Sequence, residues 1–412
     1  MIKNSYDGGG VMKRFILVAA VSVAGMCWNA GRISAQEPSN SIVAATNRFA
    51  LDLYARYREH EGNIFYSPYS IVSALAMAYE GAVGETAQEM ETVLYLPQDA
   101  KERRDSFLEI DRRLNTDNEA CQLSVANALW TRGDMPLRDD YVKVVEQYYG
   151  GKAQSLDFGD QPEVSRLTIN NWVAQRTNDR IKDLLPPGSI KPLTSLVLTN
   201  AVYFKGSWLE AFSRDRTRPG DFRVSPEKTI QVPMMQKTDR YRYAETEAWQ
   251  VLELPYQGDG LAMLVLLPKG DDPAVLEKTL TVDKLEEWKK LLNYEEVEVS
   301  LPRFRFGAKY DLGEDLKSMG MPSAFTFGPA DFSGMSEKEF RIDMVVHQAL
   351  VEVNEEGTEA AAATGVVMLA RSAPSIPKAF QADHPFLFII EDRGTGQVIF
   401  IGRVSDPAQP EG

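Results

Sequence analysis

Apolar side chains recur at four-residue spacing over Ser41–Arg58, with Phe49, Leu53 and Tyr57 on one stripe, which predicts an amphipathic helix. Asn63–Tyr79 begins extended and then predicts a buried helix with Pro68 in its first turn, where a missing N–H is harmless. NNWVAQRTNDRIKDLL (Asn170–Leu185) predicts a further amphipathic helix. The pattern then changes. Leu196–Phe204, Val251–Tyr256, Leu261–Leu267 and Val297–Phe306 predict strands; in the last, Val297, Val299 and Leu301 alternate with Glu298 and Ser300. PFLFIIED and QVIFIGRV flank RGTG (Arg393–Gly396) and predict a hairpin. Helices dominate the first half and strands the second, without regular alternation. That predicts an α+β fold with large antiparallel or mixed sheets. No Pro/Gly-rich gap divides the chain, so residues 36–412 predict one domain.

One stretch resists assignment. In EEGTEAAAATGVVMLARSAPSIPKAF (Glu355–Phe380), four alanines favour a helix, but Gly357, Thr358, Thr364 and Gly365 confine it to about two turns, marginal on its own. Read as a strand, one face carries Thr358, Ala360, Ala362, Thr364, Val366 and Met368, all small or apolar. The other carries Gly357, Glu359, Ala361, Ala363, Gly365 and Val367, so the one charge, Glu359, falls on the second face. No proline interrupts Gly357–Arg371, so no ladder donor is missing. The segment suits two destinations, an exposed loop and a strand.

The N-terminus narrows the setting. Lys13 and Arg14 precede a 14-residue apolar run, Phe15–Trp28, and Ile33-Ser34-Ala35 fits a cleavage site. Residues 1–35 therefore predict a signal peptide, with translation starting at Met12, and a secreted, periplasmic or cell-surface protein. Cleavage after Ala35 removes Lys3, Lys13, Arg14, Arg32 and Asp7 and moves the net charge from −14 to −17. So acidic a chain repels nucleic acid and anionic membranes. Only Cys121 then remains, which excludes an internal disulfide and leaves stability to a large core.

Enzyme chemistry finds little support. The three histidines, His60, His347 and His384, stand outside any G-x-S-x-G, HExxH, P-loop or G-x-G-x-x-G context. No cysteine pair is available for zinc, and no cofactor or metal is expected.

Six motifs, in order, carry a resemblance. NIFYSPYSIVSALAMAYEGAVGET (Asn63–Thr86), LTNAVYFKGSW (Leu198–Trp208), VPMMQ (Val232–Gln236), ADFSGMS (Ala330–Ser336), VEVNEEGTEAAAAT (Val351–Thr364) and ADHPFLFII (Ala382–Ile390) resemble the signatures of serpins. The resemblance spans about Ser41 to Pro407. It implies three β-sheets, about nine helices and an exposed reactive-centre loop, here about residues 355–378. It also implies a monomeric suicide inhibitor rather than an enzyme. A target serine protease cleaves the loop, which inserts into the main sheet and traps the protease as a covalent acyl-enzyme complex. Other members carry hormones or act as chaperones.

The family's spacing, sixteen residues on from Glu355, puts the recognised residue at Arg371 and the reactive bond at Arg371–Ser372. Arginine suits a trypsin-like pocket with a carboxylate at its base. Neighbouring bonds at Met368, Leu369 or Ala370 suit chymotrypsin- or elastase-like proteases, and a cysteine protease is a further alternative. The loop hinge is Glu355, Gly357, Thr358, Glu359, Ala360, Ala361, Ala362, Ala363 and Thr364. By the same resemblance, Ser67, Ser70, Asn200 and His347 form a polar cluster beneath the main sheet. Trp208, Arg303 and Glu355 mark where insertion begins, with an Arg303–Glu355 ion pair expected. About ten new ladder hydrogen bonds at about 1 kcal/mol net each give insertion on the order of ten kcal/mol.

Overall fold

A computed structural model describes residues 38–114, 121–258, 260–270, 272–358 and 376–409. The expected signal peptide, and the loop positions Glu359–Thr364, Arg371 and Ser372, lie outside the described residues. The described elements belong to one compact unit, Glu37–Gly412.

Five helices lie before residue 150: α1 (Pro38–Tyr57), α2 (Pro68–Tyr79), α3 (Gly84–Leu94), α4 (Ala100–Leu114) and α5 (Asp139–Tyr149). Three strands lie among or just after them: β1 (Ile64–Tyr66), β2 (Cys121–Arg132) and β3 (Lys152–Leu156). α2 is apolar on every side and buried from Pro68 to Ala78, the signature of a central helix. Ser67 caps it, accepting a hydrogen bond from the Ser70 N–H at 3.3 Å, and Pro68 occupies its first turn.

The third predicted helix is displaced. α6 runs Pro162–Arg176, not Asn170–Leu185. It stops because Asn178 and Asp179 take left-handed backbone conformations, φ 51° and 59°, which their short polar side chains tolerate. Ile181, Leu184 and Leu185 are still buried, but from a non-helical segment. The Asn170 amide secures that segment by accepting from the Leu185 N–H and donating to its carbonyl, both at 2.9 Å.

The remaining elements are β4 (Leu196–Ser207), β5 (Arg218–Ser225), β6 (Lys228–Glu245), β7 (Trp249–Pro255), β8 (Leu261–Pro268), α7 (Ala274–Thr279) and α8 (Val282–Leu291). After them come β9 (Asn293–Pro302), β10 (Phe304–Asp311), α9 (Gly313–Met319), β11 (Ile342–Val353), β12 (Gly357–Thr358), β13 (Lys378–Gln381), β14 (Phe386–Asp392) and β15 (Val398–Val404). Nine α-helices thus occur among the described residues. The predicted strand Val297–Phe306 is two strands in two sheets. Pro302 cannot donate to a ladder, and the chain changes sheet at Arg303, whose N–H instead reaches the Pro233 carbonyl at 2.9 Å.

The main sheet has the order β10-β11-β4-β2-β3, with β12 wedged between β11 and one end of β4. The other strands form one hydrogen-bonded network that divides within long β6. Its first part pairs with β5 and β9, and β9 with β13; its end joins β7, followed by β8, β14, β15 and β1. The whole is therefore a three-sheet arrangement. Alternation along β4 separates two cores. Leu196, Leu198 and Val202 face the large core containing α2, while Val197 and Ala201 face a smaller one with Trp130, Ile169 and Val173 of α6.

Candidate functional site

Two groups of residues lie along the seam between β11 and β4, one at its end and one at its middle. At the end, the chain leaving β11 reverses tightly. The Asn354 N–H donates to the Gly357 carbonyl at 2.8 Å, and the Asn354 side-chain oxygen accepts from the N–H groups of Glu356 and Gly357. Two residues of β12 then pair antiparallel to both neighbours, Thr358 with Val353 and Gly206, and Gly357 with Ser207. Gly357 has φ 147°, and a Cβ there would overlap the Gly206 carbonyl and lie 2.7 Å from the Ser207 Cα. Only glycine fits.

Thr358 is 0% exposed. Its hydroxyl is 2.8 Å from that of Tyr256, whose ring stacks on Trp208 with centroids 4.6 Å apart. Trp208 follows β4 and clasps the turn: its N–H donates to the Glu356 carbonyl at 2.8 Å and its indole Nε1 to the Asn354 carbonyl at 3.0 Å. Glu355 accepts from Arg303 Nε at 2.8 Å and from the Thr217 hydroxyl. Burial pushes the Glu355 carboxyl up, but the Arg303 and Thr217 hydrogen bonds outweigh it and hold the group below its ordinary 4.5. Arg214 pairs with Glu356, Nε to Oε1 at 2.5 Å. An open cleft of about 540 Å³ lies alongside, edged by Arg214, Arg303, Arg305 and Glu352.

At the middle of the seam, His347 of β11, Asn200 of β4 and Asn127 of β2 occupy one row across three adjacent strands. Ser67 and Ser70 meet them from the start of α2. The Ser67 N–H donates to His347 Nε2 at 3.1 Å, so that nitrogen carries no proton. His347 Nδ1 therefore holds the hydrogen and donates to Asn200 Oδ1. The Asn200 amide donates to Ser70 and to Asn127 Oδ1, and the Ser67 hydroxyl donates to the Ile399 carbonyl at 2.7 Å. His347 is 0% exposed, and burial pushes its pKa down to about 3, so the ring is neutral.

Ser67, Ser70, Asn200 and His347 are thus in mutual contact, as are Arg303 and Glu355, with Trp208 on the same turn. Sequence reasoning missed Asn127, Thr217, Asn354 and Tyr256. Asn127 had a signal, an amide within an otherwise small and apolar strand. Tyr256 had none, since its position ends an ordinary apolar run. Among the described residues no group of three or more His, Cys, Asp or Glu side chains is placed to hold a metal ion.

Comparison with known proteins fits this geometry. The sequence model of the family described as "Serpin (serine protease inhibitor)" matches residues 44–407. An uncharacterised serpin-like protein of Thermococcus kodakarensis is 44% identical over 371 residues, covering 89% of this chain and 86% of that protein. Serpin B6 of Macaca fascicularis is 42% identical over 374 residues, covering 89% and 99%. Among solved structures, uncleaved ovalbumin superposes with a TM-score of 0.81 at 33% identity, covering 89% of this chain and 100% of that one. Human thyroxine-binding globulin, solved in complex with thyroxine, gives 0.82 at 28% identity over 90% and 100%. The chain belongs to the serpin family and has the serpin fold.

Proposed function

We propose that the protein traps serine proteases of trypsin-like preference, with Arg371–Ser372 as the reactive bond. The protease serine attacks the Arg371 carbonyl and the bond to Ser372 breaks, the Ser372 nitrogen taking a proton. The acyl-enzyme ester on Arg371 is then carried off as the hinge side of the loop enters the main sheet. The observation that supports this is β12. It already lies antiparallel between β11 and β4, so a chain continuing from Thr358 runs down their seam. There β11 and β4 pair directly with each other, in parallel. A strand entering between them exchanges one parallel ladder for two antiparallel ones, the better pairing per residue. Secretion after removal of residues 1–35 belongs to the same proposal; the mature protein should begin at Gln36.

Incubation with trypsin followed by denaturing electrophoresis tests the reading. A covalent complex larger than the free chain is expected, and Arg371→Ala should abolish most of it while the fold is retained. Cleavage without a complex would overturn it. That result favours a second reading, a non-inhibitory carrier, to which the likeness to thyroxine-binding globulin lends support.

A further inference from the structure

β13 is the strand by which the chain re-enters the body after the loop. It is an edge strand, paired in parallel with β9 from Lys378–Val297 to Gln381–Ser300. Parallel edge pairing of four residues is a modest hold. Side chains add to it: Gln250 donates to the Ala379 carbonyl at 2.8 Å, and Lys378 pairs with Glu245 at 2.8 Å. The turn beyond β13 is fastened differently. The Arg223 N–H of β5 donates to the Asp383 carbonyl at 2.7 Å, and the Asp383 N–H to Gln381.

His384, 7% exposed, lies between two acceptors. Its Nδ1 is 2.7 Å from the Asp383 carboxylate, and its Nε2 is 2.7 Å from the main-chain carbonyl of Pro268 at the end of β8. An ionised carboxylate and a carbonyl only accept, whereas a neutral imidazole has one donor. Both bonds form only when both ring nitrogens carry hydrogen. We propose that His384 is an imidazolium pin that fastens the turn after β13 to β8, so that the loop's far anchor loosens as pH rises. The charged groups acting on the ring are Asp383, from its own turn, and Arg223, from β5. Of the nearby lysines, Lys269 and Lys378 are both paired with Glu245.

The sign follows from the balance on the ring. Burial and Arg223 push its pKa down, but the bonds to Asp383 and Pro268 outweigh them and hold it above the ordinary 6.5. The stabilisation is complete below 6.5 and is lost as pH rises through the folded value. Each unit by which the folded value exceeds 6.5 makes the pin worth about a factor of ten in the fastened state. The link to loop retention rests on the inhibitory reading above; the pin itself does not.

The test has four arms. Ring-proton NMR on the intact protein, with the His384 signal assigned from His384→Gln, should show that ring titrating above 6.5. Titration at or below 6.5 overturns the proposal. Amide exchange in β13, corrected for its intrinsic pH dependence, should accelerate from pH 6 to pH 9 in the wild type and stay flat in His384→Gln; equal slopes overturn it. Asp383→Asn, which keeps the ring but removes its charged acceptor, should move the transition to lower pH, and this arm stands if His384→Gln fails to fold. On storage at pH 9, the wild type should lose trypsin-trapping capacity faster than at pH 6, and His384→Gln equally fast at both; a pH-independent wild-type rate overturns the proposed control of the loop. A protein that traps no trypsin at any pH removes the inhibitory reading alone, because the first three arms do not depend on it.

Discussion

The end and the middle of the β11–β4 seam are held by opposite chemistries. At the end, Glu355 is bound by Arg303 and Thr217, Arg303 is 41% exposed, and a two-residue wedge already parts the strands. In the middle, Ser67, Ser70, Asn127, Asn200 and His347 form a neutral network out of reach of solvent, and the strands pair directly. Arg303 reaches water while Glu355 does not, so the pair at the end is only partly screened. A buried neutral network is costly when half satisfied, so the middle must open as a unit. The seam is therefore graded, partly exposed and ion-paired at its end, buried and neutral at its middle.

The largest effect should come from placing charge in the wedge. Thr358→Arg buries a cation beside Tyr256 with no acid partner, at several kcal/mol. It should expel β12 and slow insertion, so the number of inhibitor molecules consumed per trypsin inactivated should rise steeply while loop cleavage continues. Unchanged stoichiometry would separate the wedge from trapping. Next comes the middle. Asn200→Leu orphans His347 Nδ1 and leaves Ser70 and Asn127 only their mutual hydrogen bond at 3.3 Å, so at about 1–3 kcal/mol for an unpaired buried group it should lower urea-unfolding stability by about that amount. Adding His347→Phe, which also takes the acceptor from the Ser67 N–H, should cost less in this background than in the wild type; strictly additive losses would deny that the cluster is one network.

Acid should distinguish the end from the middle more finely. His347 is neutral in the fold down to about pH 3, whereas the unfolded ring takes a proton near 6.5. Stability should therefore fall as pH drops from 6.5 towards 3, and His347→Gln should show a shallower slope between 6.5 and 4.5, above the carboxylate range. Parallel slopes would mean that the ring is not held neutral. The smallest effect is expected at the ion pair. Arg303→Met should reduce stability by about 1 kcal/mol: Arg303 is 41% exposed, and Thr217 still donates to Glu355, whose side chain is 2% exposed. The Glu355 carboxyl is held below 4.5, so the pair's contribution is present above that value and lost as pH falls through the folded one. A loss that persists in strong acid would point to packing rather than charge.

The fold was legible where local pattern and tertiary role agree. The β14–β15 hairpin and β7 and β8 were readable from apolar runs bounded by turns, and α2 from an apolar helix behind Ser67-Pro68. The misreadings share a cause. Ile181, Leu184 and Leu185 kept an apolar rhythm beyond the true end of α6 because burial, not helicity, selected them. The break at Arg303 was hidden because both flanking strands are apolar and extended, so nothing local marks a change of sheet.

At the site, the sequence alone determined the materials: a glycine at 357, a small side chain at 358, an uncharged run after it, and serine, asparagine and histidine among apolar neighbours. Steric need and side-chain chemistry are properties of each residue, so they are written locally. Only the tertiary structure decided that His347, Asn200 and Asn127 share one row, that Tyr256 meets Thr358, and that Gly357 passes against Gly206. Those pairings join residues scores of positions apart. Strand register and sheet order fix them, and both are set by how the whole chain buries its apolar faces rather than by any one stretch of it.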